Sequence, residues 1–153
     1  MNFTMNMPPA DEQIFLSEQH PESRRWSVFE DDGISAWLYL TAPDSQQPVA
    51  DCWVYNRIES PEPAGTYAAR GIAPPAPPEI TTDSPVMNPA GSSAIRVEWS
   101  PDGESIAIFL DELLMGFIDA GSRRGYSRNL TRPGPWGNPL DEQLYGSVFG
   151  ARA

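Results

Sequence analysis

The stretch from Ile95 to Arg128 constrains the fold of this chain more than any other. Ile95, Val97 and Trp99 alternate with Arg96, Glu98 and Ser100. A side-chain period of two is that of a β-strand with one buried face. Pro101-Asp102-Gly103 then supplies a turn, since proline presets φ, aspartate bonds the backbone ahead of it and glycine tolerates positive φ. The period resumes at Ile106, Ile108 and Leu110, and Asp111-Glu112 reverses the chain before Leu113, Met115 and Phe117. This predicts a β-meander of three short antiparallel strands, closed by an arginine-rich turn.

The first half repeats the pattern. Trp26 and Val28 lead into Asp31-Asp32-Gly33, a sequence suited to a tight hairpin. The return strand, Ile34 to Thr41, sets Ile34, Ala36, Leu38 and Leu40 against Ser35, Trp37, Tyr39 and Thr41. Bulk on both faces suits a central strand. Pro43 to Pro48 is a polar loop. Val49 to Ile58 forms the next strand, with Ala50, Cys52 and Val54 on one side and Asp51, Trp53 and Tyr55 on the other.

The remaining segments are less patterned. Residues 1–25 are polar, and Ile14, Phe15 and Leu16 either add an edge strand or stay mobile. Residues 59–93 are proline-rich, with Pro74-Pro75-Ala76-Pro77-Pro78 at their centre. Proline cannot donate to a ladder, so neither a central strand nor a helix is expected there, but a polyproline II or disordered surface loop. Within residues 129–153, the loop from Pro133 to Pro139 orders only if Trp136 packs. Leu140, Leu144 and Val148 stand at helical spacing behind Pro139 and Asp141-Glu142, which predicts a short C-terminal helix. The expectation is one mainly-β domain over residues 1–153, a meander or sandwich-like antiparallel sheet of roughly five to seven strands.

Composition narrows the chemistry. The chain has 10 basic and 21 acidic residues for a net charge of −11, and every basic residue is arginine. Without lysine there is no Schiff base, P-loop or Ser–Lys dyad. The acidity argues against nucleic acid, whose affinity comes from phosphate neutralisation, and is compatible with a basic protein partner. No apolar run approaches the ~18 residues that cross a bilayer. The start, MNFTMNMPPADEQ, lacks the basic and apolar stretches of a signal peptide. A cytoplasmic, membrane-free protein is expected, with no cofactor or metal.

Candidate chemical residues are few. His20 and Cys52 are each alone, so an internal disulfide, a thiolate cluster and a classical zinc site are not available. His20 reads as a surface residue in a weakly structured segment, and Cys52 as a buried structural thiol. Glu30-Asp31-Asp32, with Asp102 and Glu104, stand at hairpin tips, where turn chemistry explains them more simply than Ca²⁺ or a carboxylate-pair hydrolase. Arg123, Arg124 and Arg128 with Tyr126 are the one cationic cluster, either an anion or partner contact or a turn held by Asp119. Trp37, Tyr39, Trp53 and Tyr55 would share one sheet face. That face is core, packed on a second layer or the terminal helix, or else an exposed platform.

Trp99-Ser100-Pro101-Asp102-Gly103 resembles the hairpin in blades of TolB-type β-propellers. A propeller needs at least about four blades, and one such hairpin is present here. The order of segments from Trp26 to Arg128, the proline-rich insert apart, resembles a bacterial family of small domains of unknown function. The resemblance is carried by Val28-Phe29-Glu30-Asp31-Asp32-Gly33, Trp37-Leu38-Tyr39, Trp53-Val54-Tyr55-Asn56, the Trp99–Gly103 turn, and the closing Asp119, Arg123, Arg124, Gly125 and Tyr126. It implies a small β domain and no activity.

The functional expectation is a non-enzymatic protein-interaction domain, neutralising a basic partner as bacterial immunity proteins neutralise toxins. Its candidate contacts are Arg123, Arg124, Tyr126, Arg128, Trp37 and Trp53. The alternative is a small-anion binding module using the Arg123/Arg124 turn. Self-association through an exposed strand edge is a further option.

Overall fold

A computed structural model of the chain describes residues 13–58, 61–82 and 95–150. Among these residues, strands β1 (Ile14–Gln19), β2 (Trp26–Asp31), β3 (Ser35–Thr41) and β4 (Pro48–Asn56) form an antiparallel sheet in sequence order. A second sheet holds β5 (Ile95–Trp99), β6 (Ile106–Leu110), β7 (Leu113–Asp119), β8 (Arg124–Ser127) and β9 (Asn138–Pro139), again in order. It is antiparallel except that β9 runs parallel to β8. Two α-helices, α1 (Ala64–Ala68) and α2 (Glu142–Phe149), and a single 3-10 turn over Pro78–Ile80 complete the described elements. The chain is mainly β, as the alternation requires. The count of nine strands exceeds the expectation because Ile14–Gln19 adds an edge to β2, while the arginine-rich turn leads into a further strand.

The sheets pack face to face. Phe29, Leu38, Leu40, Cys52 and Val54 of the first meet Ile106, Ile108, Met115 and Ile118 of the second. The opposite face of the second sheet is covered by α2, whose Leu144, Tyr145, Val148 and Phe149 pack on Ala107, Phe109 and Phe117. The Asp141 side chain caps this helix by accepting from the Leu144 N–H at 2.9 Å. Gly150 ends it in the left-handed region, at φ 69°.

The outer face of the first sheet departs from expectation twice. Trp37 and Trp53 are buried there, not by a second sheet or the terminal helix, but by Ala73, Ala76, Ile80, Leu130 and Trp136. Residues 72–80 of the proline-rich stretch are thus packed, and the short helix α1 precedes them, where no helix was expected. Proline lacks a donor but keeps its carbonyl. Trp37 Nε1 and Trp136 Nε1 both donate to the Pro74 oxygen, at 3.3 and 3.1 Å. Asn56 clamps Ala76 at both backbone groups, at 2.9 and 3.0 Å. Residues 59–60 and 83–93 of the expected loop lie outside the described residues.

The second departure is a bulge in β4. Ala36 pairs with Tyr55 and Trp37 with Trp53, so Val54 is an extra residue. Tyr55 therefore turns into the core between the sheets, and Asn56 takes its place beside Trp53. There the Tyr55 hydroxyl donates to Asp31 Oδ2 at 2.7 Å, and Arg57 Nη1 donates to the same oxygen at 2.8 Å. Both side chains of the ion pair are sealed from solvent, at 1% and 0% exposure.

Candidate interaction surface

The arginine cluster does not assemble. Arg128 donates to the Leu114 carbonyl at 2.6 Å and to Glu142 at 3.2 Å, tying β8 to the start of α2. Tyr126 stacks on Phe117, ring centroids 4.9 Å apart, under the same helix. Arg123 takes a left-handed turn position at φ 59°. Asp119 does not pair with the arginines; its carboxylate accepts from the Gly121 N–H and the Ser122 hydroxyl. Arg123 and Arg124 are exposed and make no side-chain hydrogen bond or salt bridge with the described residues. Two solvated cations remain where a four-residue cluster was expected.

The turn carboxylates other than Glu30 are likewise occupied. Asp31 holds the buried pair and accepts from the Gly33 N–H. Asp32 accepts from the Ile34 and Ser35 N–H groups. Asp102 accepts from the Ser100 hydroxyl at 2.6 Å and from the Glu104 N–H, bonds that hold its carboxyl below the usual range. Glu104 pairs with Arg25 at 2.7 Å. No group of three His, Cys, Asp or Glu side chains gathers to hold a metal among the described residues.

His20 is better anchored than a surface residue in a loose segment. Its Nδ1 accepts from the Glu22 and Ser23 N–H groups at 3.1 and 3.2 Å. Its ring meets Trp99 edge-on, centroids 5.0 Å apart. It also lies so close over Gly103 that a Cβ there would come within 2.5 Å of it. The glycine of the Trp99–Gly103 turn thus serves both its positive φ, 73°, and the imidazole above it. Cys52 is buried with Sγ 3.2 Å from the Tyr126 oxygen. Burial pushes its thiol pKa well up, the opposite of what a nucleophile needs.

What the register does bring together is a patch on the first sheet's outer face. Phe15 pairs with Glu30, and Glu30 with Trp37; one rung along, Ser17 pairs with Val28, Val28 with Tyr39, and Tyr39 with Asp51. The proline-rich segment covers the Trp37 and Trp53 half of this face. The other half is open. Phe15, Val28, Glu30, Tyr39, Thr41, Gln46 and Pro48 line a shallow concavity of about 230 Å³. Phe15 is 64% exposed. Tyr39, stacked on Trp37, has its hydroxyl pKa pushed up to about 12, first by burial and then by the negative field of Glu30, Asp51 and Asp32. Of these residues, reading the sequence alone singled out Tyr39 as part of an aromatic face and Glu30 as a hairpin-tip carboxylate. Phe15, Val28 and Asp51 carry no motif, and only the pairing of four strands sets them side by side.

Comparisons with known proteins give no outside guide to this surface: no family model, no curated protein and no solved structure matches the chain. No helix among the described residues is long and apolar enough to cross a membrane.

Proposed function

We propose that this chain is a non-enzymatic interaction domain that binds a basic protein partner through the open half of the first sheet's outer face. One observation carries the reading. An exposed aromatic ring, Phe15, lines the same concavity as a second ring, Tyr39, that sits in the field of Glu30, Asp51 and Asp32. Aromatic faces next to carboxylates suit an arginine or lysine side chain, whose stem packs on the rings while its head meets the charge. The overall charge of −11 draws such a partner in, and the aromatic contact holds it. Covering a basic surface of the partner is the neutralisation that an immunity-like role requires.

The test is kinetic. A partner captured from the native host at low salt should associate more slowly as salt rises. The double variant Glu30→Gln/Asp51→Asn should slow association by about tenfold with little change in the protein's melting temperature. An association rate indifferent to both salt and these substitutions counts decisively against the reading.

The exposed Arg123 and Arg124 support a second reading, an anion-binding turn. Inorganic phosphate should then raise the melting temperature of the native protein and not of Arg123→Ala/Arg124→Ala. Equal effects on both proteins exclude it.

A further inference from the structure

Among the described residues, two strand edges lie open along one side of the molecule. β1 is bonded only to β2, and β5 only to β6. Ile14, Leu16 and Glu18 of β1 point toward the second sheet, because they pair with the buried Asp31, Phe29 and Ser27. Ile95 and Val97 of β5 turn toward the same core. The strands meet at one end, where Trp99 Nε1 donates to Glu18 Oε1 at 3.2 Å. Elsewhere they stand apart across a groove of about 370 Å³ lined by Leu16, Ser17, Ser27, Ile95 and Val97. Leu16 faces inward yet keeps 37% of its surface exposed, with the groove between it and β5 among the described residues. The outer backbone edges of both strands have no backbone partner among the described residues.

A row of unpaired backbone groups beside an apolar slot is what β-strand addition uses: the main chain supplies the bonds, and every second side chain fills the slot. A second copy of this chain is a poor occupant, because it brings another −11 of like charge. The charge beside the edge on the outer face is negative as well, since Phe15 pairs with Glu30. Arg96, which also borders the groove, has its charge matched by Glu112 at 2.9 Å and rests over the Phe109 ring.

We infer that the β1 edge is a strand-addition site for an extended segment of the basic partner. Its apolar side chains enter the groove on Leu16 and Val97, and the arginines or lysines between them cross Phe15 toward Glu30. The choice of a basic occupant rests on the function proposed above; the open edge does not.

The test uses a capped octapeptide of alternating valine and arginine. Its control is the same peptide methylated on every backbone nitrogen, which keeps charge and apolar groups but loses the donors. The plain peptide should bind at least about tenfold more tightly than the control. It should slow amide exchange over Ile14–Gln19, and both Leu16→Lys and the milder Leu16→Ala should weaken it. Equal binding of the two peptides, still lost with salt and with Glu30→Gln/Asp51→Asn, overturns strand addition and leaves the acidic-surface reading standing. Binding by neither peptide overturns strand addition, while the captured partner's kinetics judge the broader reading separately. A dimer in sedimentation velocity that Leu16→Lys dissolves would overturn the choice of occupant.

Discussion

The two seams between the sheets are built in opposite ways. On one side β4 lies hard against β8. A Cβ on Gly125 would stand 2.5 Å from the Asp51 carbonyl oxygen and 2.5 Å from Cys52 Cβ. The edge of β4 is also engaged there, because the Trp53 N–H donates to the Trp136 oxygen at 3.0 Å and the Val54 carbonyl accepts from the Asn129 amide at 3.4 Å. On the other side, β1 and β5 carry Leu16, Ile95 and Val97 toward each other without closing the gap. The lesson is about backbone access. Where glycine removes the side chain, main chains touch and the edge is spent; where side chains stay, the edge is left for something else.

Three changes would break or sharpen this contrast. The largest effect is expected from Gly125→Ala. The methyl group meets backbone, which cannot swing aside, so unfolding in urea should show a loss of at least about 3 kcal/mol. A wild-type midpoint would mean that the closed seam is looser than described. Next comes Asn56→Ala, which removes both bonds to Ala76 and the acceptor of the Trp53 indole. A loss of about 2 kcal/mol is expected, together with a tryptophan emission shift to longer wavelength as the proline-rich cover loosens. The smallest effect belongs to the open side. Leu16→Ala should change stability by only about 0.5 kcal/mol, because its side chain is incompletely covered in the protein alone.

The open face also has a signature in pH. Tyr39 titrates near 12 in the folded chain against an ordinary value of about 10. Its folded pKa is raised, so its contribution to stability is whole below pH ~10 and is lost as pH climbs through about 12. Tyr39→Phe should flatten that alkaline decline in stability. A decline of unchanged steepness would mean that neither burial nor the field of Glu30, Asp51 and Asp32 holds the proton on Tyr39.

Much of this frame is legible in the residues. The Asp31-Asp32-Gly33 reversal, the meander from Ile95 to Phe117 and the Asp141-capped helix each follow from local turn or capping chemistry. The buried Cys52 follows from the period of two. Four features do not. The Val54 bulge leaves no mark in the pattern, since one extra residue changes the side-chain face without changing composition. The packing of residues 72–80 depends on carbonyls that accept from indoles and an asparagine far away in sequence, so proline content alone pointed to a loose loop. Arg128 reads as one cation among three until the turn of β8 brings Leu114 and Glu142 to it. The interaction patch was the least visible of all, because Phe15, Val28, Tyr39 and Asp51 share nothing but a register.

The central claim is that one seam is sealed and the other is available. Residue-resolved amide hydrogen exchange on the protein alone tests it most directly. Slow exchange through β4 and β8, with rapid exchange at every second amide of β1 and β5, is the predicted result. Protection along β1 and β5 equal to that of β4 would contradict it, because those edges would then already be paired.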